Sequence, residues 1–232
     1  PPRYGKTELA VKNFIAYGLA INPQSKFIHL SYSDDLALDN SSQTKEYINS
    51  DAYQRLWSMT LKKDAQGKKK WFNEQGGGVY ATASGGAITG FGAGVPESKG
   101  FSGAILIDDP LKPDDAFSEV KRKAVNERYN NTIRSRVNDR ETPIIIVMQR
   151  LHEDDLSGFL LNGGSGEEWE HFLLSLHENH EKFPKLLEVW NADVRLTRVD
   201  DGSWSWGSLK RRDAAVFDGS ESEVDTDDME DV

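Results

Sequence analysis

Two stretches of the chain contain an uninterrupted run of apolar residues. "GAILIDDP" (103–110) and "TPIIIVMQR" (142–150) each hold a run of apolar residues that ends in polar ones. Strands that are apolar at every position are covered on both faces, as in the interior of a parallel sheet. "KFIHLSYS" (26–33) predicts a further strand, with Phe27, Ile28, Leu30 and Tyr32 as its apolar residues.

Helical patterns alternate with these strands. Nearly every residue from Thr7 to Ile21 is apolar, with Lys12 and Asn13 as the main exceptions, which indicates a helix buried on most sides. The "DD" at 34–35 offers an N-cap for a helix that runs through residue 50.

A further helix is predicted from about Asp114 to Val137. Its inward face is expected to comprise Phe117, Val120, Ala124, Tyr129, Ile133 and Val137. Strands that alternate with helices predict an α/β fold, a doubly wound and mainly parallel sheet with helices on both faces.

Residues 68–95 change in character. Two short strand-like runs flank a triple glycine, and a glycine-rich stretch follows, which predicts a hairpin and a mobile loop. Lysines 62, 63, 68, 69 and 70, with Trp71 and Phe72 beside them, could contact a DNA backbone and stack on bases. A solvated hairpin explains the same residues equally well.

The composition excludes cysteine chemistry and gives no sign of a membrane helix. The 232 residues include no cysteine, which excludes disulfides and thiolate chemistry. The net charge of −10 is concentrated at one end, because eight of the 38 acidic residues lie in 218–232, which we expect to be a disordered acidic tail. No apolar run approaches the roughly 20 residues of a membrane helix, and no signal peptide is visible, so we expect a cytoplasmic protein without membrane contact.

The first candidate for chemistry is Gly5-Lys6-Thr7 in "PPRYGKTEL". These residues match the end of the phosphate-binding loop GxxxxGK[ST], whose backbone N–H groups and lysine hold nucleotide phosphates. A predicted helix begins at Thr7, and its N-terminus adds partial positive charge. Such a loop ordinarily follows a strand, so we expect the first strand of the domain to precede Pro1.

The second candidate lies where the apolar strands end. "LIDDP" delivers Asp108 and Asp109 to the carboxyl end of a buried strand, the edge at which open α/β sheets bind ligands. A divalent metal would relieve the repulsion between the two carboxylates. Gln149 ends the next apolar strand and is expected near Asp108, where a glutamine can orient water or sense a phosphate.

Six motifs follow one another along the chain. They are "PPRYGKTEL", "HLSYSDDLA", "GGAITGFGAG", "AILIDDPLKPDDA", "IIIVMQRLHEDDLSGFLL" and "GEEWEH". With these motifs in this order, the chain resembles the ATPase domain of the large subunit of tailed-phage terminases, a P-loop NTPase that drives DNA packaging. The resemblance covers residues 1 to about 171; "MQRLHEDDL" and "GFGAG" are its specific parts, whereas many NTPases share the loop.

The resemblance implies a role for each site residue. Arg3, Tyr4, Gly5, Lys6 and Thr7 would bind ATP, with Lys6 on the phosphates and Arg3 able to reach the γ-phosphate. Thr7 and Asp108 would hold Mg²⁺, Asp109 would polarise the attacking water, and Gln149 would couple hydrolysis to movement. Asp109 stands where many motor ATPases have Glu. Phe91 stands where many relatives have Arg, so any arginine supplied by a neighbouring subunit must come from elsewhere.

The resemblance also implies partners and a domain plan. An active motor would be a homo-oligomeric ring that moves double-stranded DNA into a capsid, with a portal protein and a small terminase subunit as partners, in the host cytoplasm. We expect a P-loop ATPase domain at 1–171, an unassigned segment at 172–217 and the tail at 218–232. No pattern of a ribonuclease-H-type nuclease follows Phe172 and the adenine-contacting segment is absent, so we expect a truncated or frame-shifted form.

Three alternatives stay open. Another P-loop enzyme, such as a helicase, would share the loop but not "MQRLHEDDL". A catalytically silent fragment would bind nucleotide without turnover. A metal-dependent DNA nuclease could use Asp108, Asp109, Asp114 and Asp115, although Pro110 and Pro113 interrupt that cluster.

Overall fold

The computed structural model describes residues 5–171 and two short strands at 197–198 and 204–205, with backbone alone for residues 65 and 66. Arg3, Tyr4, the tail at 218–232 and nearly all of segment 172–217 lie outside the described residues. What the sequence predicts for them therefore stays a prediction.

One sheet dominates the described part of the chain. Its strands are β1 (Lys26–Ser31), β2 (Leu61–Gln66), β3 (Lys70–Asn73), β4 (Gly78–Ala83), β5 (Ile105–Asp108) and β6 (Ile144–Val147). They lie in the order β2-β3-β4-β1-β5-β6. The four strands from β4 to β6 are parallel, and β2 and β3 add an antiparallel edge. The predicted α/β fold with a mainly parallel sheet is confirmed. A separate antiparallel pair joins β7 (Thr197–Arg198) and β8 (Trp204–Ser205).

Helices cover the sheet on both faces. A π-helical turn (Glu8–Asn13) leads into α1 (Phe14–Ile21), and α2 (Asp34–Asn49), α3 (Asp51–Leu56), α4 (Glu119–Arg128) and α5 (Leu156–Leu161) follow. Shorter helical turns occupy Pro113–Asp115, Tyr129–Ile133 and Arg134–Arg136. Among the described residues, no helix combines the length and the apolar character that a membrane crossing needs.

The core has two layers because successive strand residues point to opposite faces. Phe27 and Leu106 pack with α1 on one face, whereas Ile28 and Ile107 pack with the elements around α5 on the other. Gly18 allows α1 to approach β1 closely, since a Cβ there would lie 2.6 Å from Phe27 Cζ. Burial on both faces thus explains the apolar run of β5, whereas the run of β6, Ile144–Val147, is half-buried at every position.

The cap of α2 differs from the expected one. Ser33, not an aspartate, is the N-cap, and its Oγ accepts a hydrogen bond from Leu36 N at 3.3 Å. Asp34 instead accepts from Ala83 N at 2.7 Å and from Thr82 Oγ1 at 2.9 Å, so it joins α2 to the end of β4. These bonds, first that of the Ala83 N–H, lower the pKa of Asp34.

The helix predicted over 114–137 is wrong in its extent and partly in its inward face. Phe117 is 83% exposed, Val120 is 78% exposed and Ala124 is also exposed. The α-helix is confined to Glu119–Arg128, and its inward face carries Arg122 and Asn126.

Each of these two buried polar residues donates a hydrogen bond to a backbone carbonyl. Arg122 Nη1 donates to Ala116 O at 2.7 Å, and Asn126 Nδ2 donates to Asp154 O at 3.3 Å. A pattern based on hydrophobicity cannot anticipate them, because both bonds satisfy polar groups inside the fold. Tyr129 and Ile133 are buried as predicted, and Val137 is half-buried.

The predicted hairpin forms from β3 and β4, but its tryptophan cannot stack on bases. Trp71 is fully buried, and its indole Nε1 donates to Ser41 Oγ at 2.9 Å. Phe72 is half-buried and packs against Phe91, with ring centroids 6.0 Å apart. The interpretation of Trp71 as a nucleic-acid contact is therefore wrong, and its aromatic surface belongs to the core.

Candidate active site

The carboxyl ends of three parallel strands bring the candidate residues together. Ser31, Asp108 and Val147 are register partners across β1, β5 and β6. The ladder continues into Asp109, whose N–H donates to Val147 O at 2.8 Å and whose carbonyl accepts from Tyr32 N at 3.1 Å. Asp108 and Asp109 are thus fixed by the sheet at the edge where ligands bind in open α/β folds.

The loop end and the first acid are in direct contact. Helical backbone begins at Lys6, and Gly5, with φ +70°, accepts the Leu9 N–H at 2.9 Å. Thr7 Oγ1 lies 2.9 Å from Asp108 Oδ2 and 3.1 Å from Oδ1, and the hydroxyl donates to the carboxylate. A contact across 101 positions of sequence places the start of this helix on the end of β5.

Asp108 is buried and electrostatically unusual. Only 2% of its surface is exposed, and burial raises the pKa of its carboxyl group to about 6, with the charge of Asp109 adding to the increase. The Thr7 hydrogen bond and the positive charges of Lys6 and Lys12 act in the opposite direction. A buried carboxylate in such a setting favours a partner with positive charge.

Lys12 is a charged residue whose importance the sequence pattern did not show. It is 9% exposed, and its Nζ contacts Glu8 Oε2 at 2.7 Å and Gln43 Oε1 at 2.6 Å. Tyr47 also hydrogen-bonds Glu8, which raises the pKa of the tyrosine to about 12. In the sequence Lys12 is only an exception in an apolar helix, and its partner Gln43 is 31 positions away.

Asp109 and Gln149 share a pocket. Asp109 adopts a left-handed backbone with φ +43°, which is uncommon for a residue other than glycine. Its Oδ1 lies 3.3 Å from Gln149 N, which donates to it. The pocket has a volume of about 180 Å³ and is lined by Tyr32, Asp109, Leu111, Pro113, Gln149 and Leu151. Asp109 and Gln149, the two residues predicted to act on water or a phosphate, therefore border one small cavity.

A buried carboxylate shapes the turn that follows Gln149. Asp155 is the N-cap of α5, and it is fully buried. Its carboxylate accepts from Leu151 N at 2.9 Å, from His152 N at 3.3 Å and from Gly158 N at 2.9 Å.

The guanidinium of Arg150 completes this turn. Arg150 Nε lies 3.0 Å from Asp155 Oδ1, and Arg150 Nη2 donates to the carbonyls of His152 and Glu153. Sequence reasoning missed this pair, although an arginine five positions before a helix-capping acid was a signal for it. We name the segment 149–155 the Asp155 turn.

The donor set suits a hard divalent cation held together with a phosphate ligand. Mg²⁺ is usually bound by one or two carboxylates together with substrate phosphates, and Thr7 and Asp108 supply a hydroxyl and a carboxylate at one point. Asp114 and Asp115 lie on the turn Pro113–Asp115, and Asp115 pairs with Lys121. Within residues 5–171, no cluster of three or more His, Cys, Asp or Glu side chains could hold a metal.

No protein-family model matches the chain, and no curated protein matches it either.

Proposed function

We propose that the chain is a P-loop ATPase of the DNA-packaging type, as in the large subunit of a tailed-phage terminase. The observation that carries the ATPase part is the contact of Thr7 Oγ1 with Asp108 Oδ2 at 2.9 Å. It joins a Gly-Lys-Thr at the start of a helix to an acid at the end of a buried parallel strand. This is the arrangement that a nucleotide phosphate and its Mg²⁺ require.

Each residue of the site has a part in this proposal. The N–H groups after Gly5 and the ammonium of Lys6 would bind the phosphates, and Thr7 and Asp108 would hold Mg²⁺. The metal would supply charge neutralisation for the transferred phosphoryl group. Asp109 and Gln149 would orient the attacking water, since they border the same pocket. Asp109 is well suited to this because Gln149 N and the sheet fix its position.

The packaging part of the proposal rests on the motif order. The specific segments "GFGAG" and "MQRLHEDDL" support double-stranded DNA, a portal protein and a small terminase subunit as partners. By the same argument an active form would be a ring of identical chains.

The test is ATP turnover by the chain with Mg²⁺, at rising protein concentration, with and without duplex DNA. We expect Lys6→Ala to abolish turnover. The matched control is Lys99→Ala, at an exposed position in a loop whose ends contact Lys26 at the opposite edge of the sheet. Turnover that rises steeply with concentration would support an arginine supplied by a neighbour, which contributes about 10³–10⁵ in rate.

Other outcomes separate the alternatives. ATP binding without turnover at every concentration would leave a silent nucleotide-binding fragment. DNA cleavage that Asp108→Ala abolishes and Lys6→Ala does not would favour the nuclease. Equal turnover in the wild type and in Lys6→Ala would refute the proposed site.

A further inference from the structure

A second pocket lies away from the candidate active site. It has a volume of about 350 Å³ and is lined by Gly90, Phe91, Gly92, Ser135, Arg136 and Asn138. Its two walls are held together by backbone bonds, because Ala93 N donates to Arg136 O and Asn138 N donates to Ala93 O, each at 2.8 Å. It shares no lining residue with the pocket at Asp109 and Gln149.

The polar groups of this pocket favour an anion. Its lining contains an arginine, a serine and an asparagine but no acidic side chain. Arg136 makes no ion pair among the described residues. A guanidinium is matched in shape and charge by a phosphate.

Glycine keeps the opposite wall open to a ligand. Gly90 has φ +66°, and nothing within 4 Å would meet a Cβ there. At Gly92 a Cβ would lie 2.1 Å from Asn138 Oδ1, so only glycine fits against that amide. Asn138 is itself held, since its Nδ2 donates to Gly94 O at 2.8 Å. The wall is therefore shaped by backbone, which lets a bulky anion approach closely.

Two lysines extend the positive charge beyond the pocket. Lys70 Nζ lies 5.5 Å from the ring centroid of Phe91, a lining residue, and 5.4 Å from that of Phe72. Lys69 Nζ lies 5.8 Å from the ring centroid of Tyr80, which stacks on Phe91. Both lysines are exposed. Phe91 thus lines the pocket together with Arg136 and contacts Lys70 through its ring.

The acids of the neighbouring turn do not neutralise this surface directly. Asp139 and Glu141 follow Asn138 in sequence, but neither lines the pocket. Asp139 Oδ1 accepts the Glu141 N–H at 2.8 Å, which occupies that oxygen within the turn.

We propose that this pocket binds a phosphate of a nucleic-acid backbone, with Arg136 on the phosphate and with Lys69 and Lys70 on neighbouring ones. A free phosphate would need the pocket alone, whereas the lysines beyond Phe91 extend the surface to the length of a polyanion. Contacts of this kind position a duplex without reading its sequence. The inference rests on the proposed function for its partner, duplex DNA, but it uses none of Lys6, Thr7, Asp108, Asp109 or Gln149, so the two can fail separately.

The experiment measures binding of a fluorescent DNA duplex by anisotropy, without nucleotide, over a series of salt concentrations. Loss of one phosphate contact lowers the slope of log K against log salt by about 0.9. We expect this change in Arg136→Gln and in Lys70→Gln. Arg140→Gln is the matched control, since it removes the same charge from an exposed residue that does not line the pocket. We expect it to retain the wild-type slope.

Further measurements keep the outcomes distinct. Thermal melting of Arg136→Gln excludes a folding defect, and Lys70→Gln alters only an exposed side chain. Titration of inorganic phosphate, with sodium chloride of equal ionic strength as the reference, separates the two sources of phosphate: if phosphate binds the wild type but not Arg136→Gln, while the duplex binds both proteins equally well, the site takes free phosphate and the backbone assignment fails. Equal slopes for Arg136→Gln and Arg140→Gln would also overturn the proposal. Lys6→Ala should bind DNA as the wild type does, so loss of ATPase activity and loss of this site are observed separately.

Discussion

At the scale of single residues, Asp109 combines a left-handed backbone with a half-buried position in the lining of a pocket. Asparagine tolerates the same left-handed backbone as aspartate, so Asp109→Asn should fold normally. If Asp109 activates water, turnover should fall by about 10²–10⁴-fold while ATP binding persists. Asp115→Asn, at an acid paired with Lys121, is the control that should retain turnover. Undiminished hydrolysis in Asp109→Asn would remove this residue from the chemistry.

The fully buried His29 makes stability depend on pH. Burial lowers the pKa of its imidazole to about 4, from about 6.5 in an unfolded chain, and Asn40 Nδ2 lies 3.2 Å from its Nε2. Between these values the unfolded state binds a proton that the folded state does not, so the free energy of unfolding decreases as the pH falls from 6.5 to 4. The raised pKa of Asp108 acts oppositely over a similar range, because protonation of that acid stabilises the folded state.

A difference measurement isolates the histidine from Asp108. The free energy of unfolding of the wild type minus that of His29→Gln should shrink by about 3 kcal/mol between pH 7 and pH 4. Urea denaturation at a series of pH values measures it, with His171→Gln, at an exposed position, as the reference for loss of a histidine. Parallel curves for the wild type and His29→Gln would contradict the assignment.

At this scale the location of the site residues could be predicted from the sequence better than the side chains that they contact. It brought Thr7, Asp108, Asp109 and Gln149 to one edge because the carboxyl ends of parallel strands meet there. It did not reveal the burial of Lys12 or of Trp71, since the partners Gln43 and Ser41 are about 30 positions away and only the folded chain brings them close.

At the scale of elements, the Asp155 turn connects stability with the site. Asp155→Ala removes the cap of α5 and the partner of Arg150, and should cost about 2–3 kcal/mol of unfolding free energy. Because the turn begins at Gln149, its loosening should also lower turnover more than it weakens ATP binding.

The neighbouring acid provides a close control for the Asp155 turn. The side chain of Asp154 is 66% exposed, so Asp154→Ala should change stability by less than about 0.5 kcal/mol. Chemical denaturation and steady-state kinetics of both variants measure the comparison. A stable Asp155→Ala protein with normal turnover would show that the turn is held by other contacts.

Strands were more predictable than the helix after β5. The apolar run of β5 favours a strand locally, because a strand inside a parallel sheet buries consecutive apolar residues on both of its faces. The phase of α4 depends instead on the buried hydrogen bonds of Arg122 and Asn126, which leave Phe117 and Val120 in solvent. Hydrophobic periodicity assigned the opposite face for that reason.

At the scale of the whole molecule, the described sheet ends at an apolar strand. β6 pairs only with β5 among the described strands, and its residues Ile144–Val147 are all half-buried. An unpaired apolar edge is a template for another strand. We expect the chain to self-associate as its concentration rises, and Ile145→Lys to suppress this.

Sedimentation at several concentrations tests the edge of the sheet. The control is Leu56→Lys, which charges an apolar residue of α3 that is 70% exposed. Association that Leu56→Lys reduces as strongly as Ile145→Lys would assign it to general surface hydrophobicity instead of to β6. A wild type that stays monomeric throughout would refute the expectation.

The burial of Trp71 provides an optical reporter of this fold. Its indole lies in the core beside β4, bonded to Ser41 Oγ, whereas Trp57 is 37% exposed. Fluorescence from Trp71 should therefore be blue-shifted in the folded chain and move to longer wavelength when the sheet opens. The spectrum of the wild type minus that of Trp71→Phe would follow the antiparallel edge of the sheet, without a signal from the Thr7–Asp108 contact on the far side of β1.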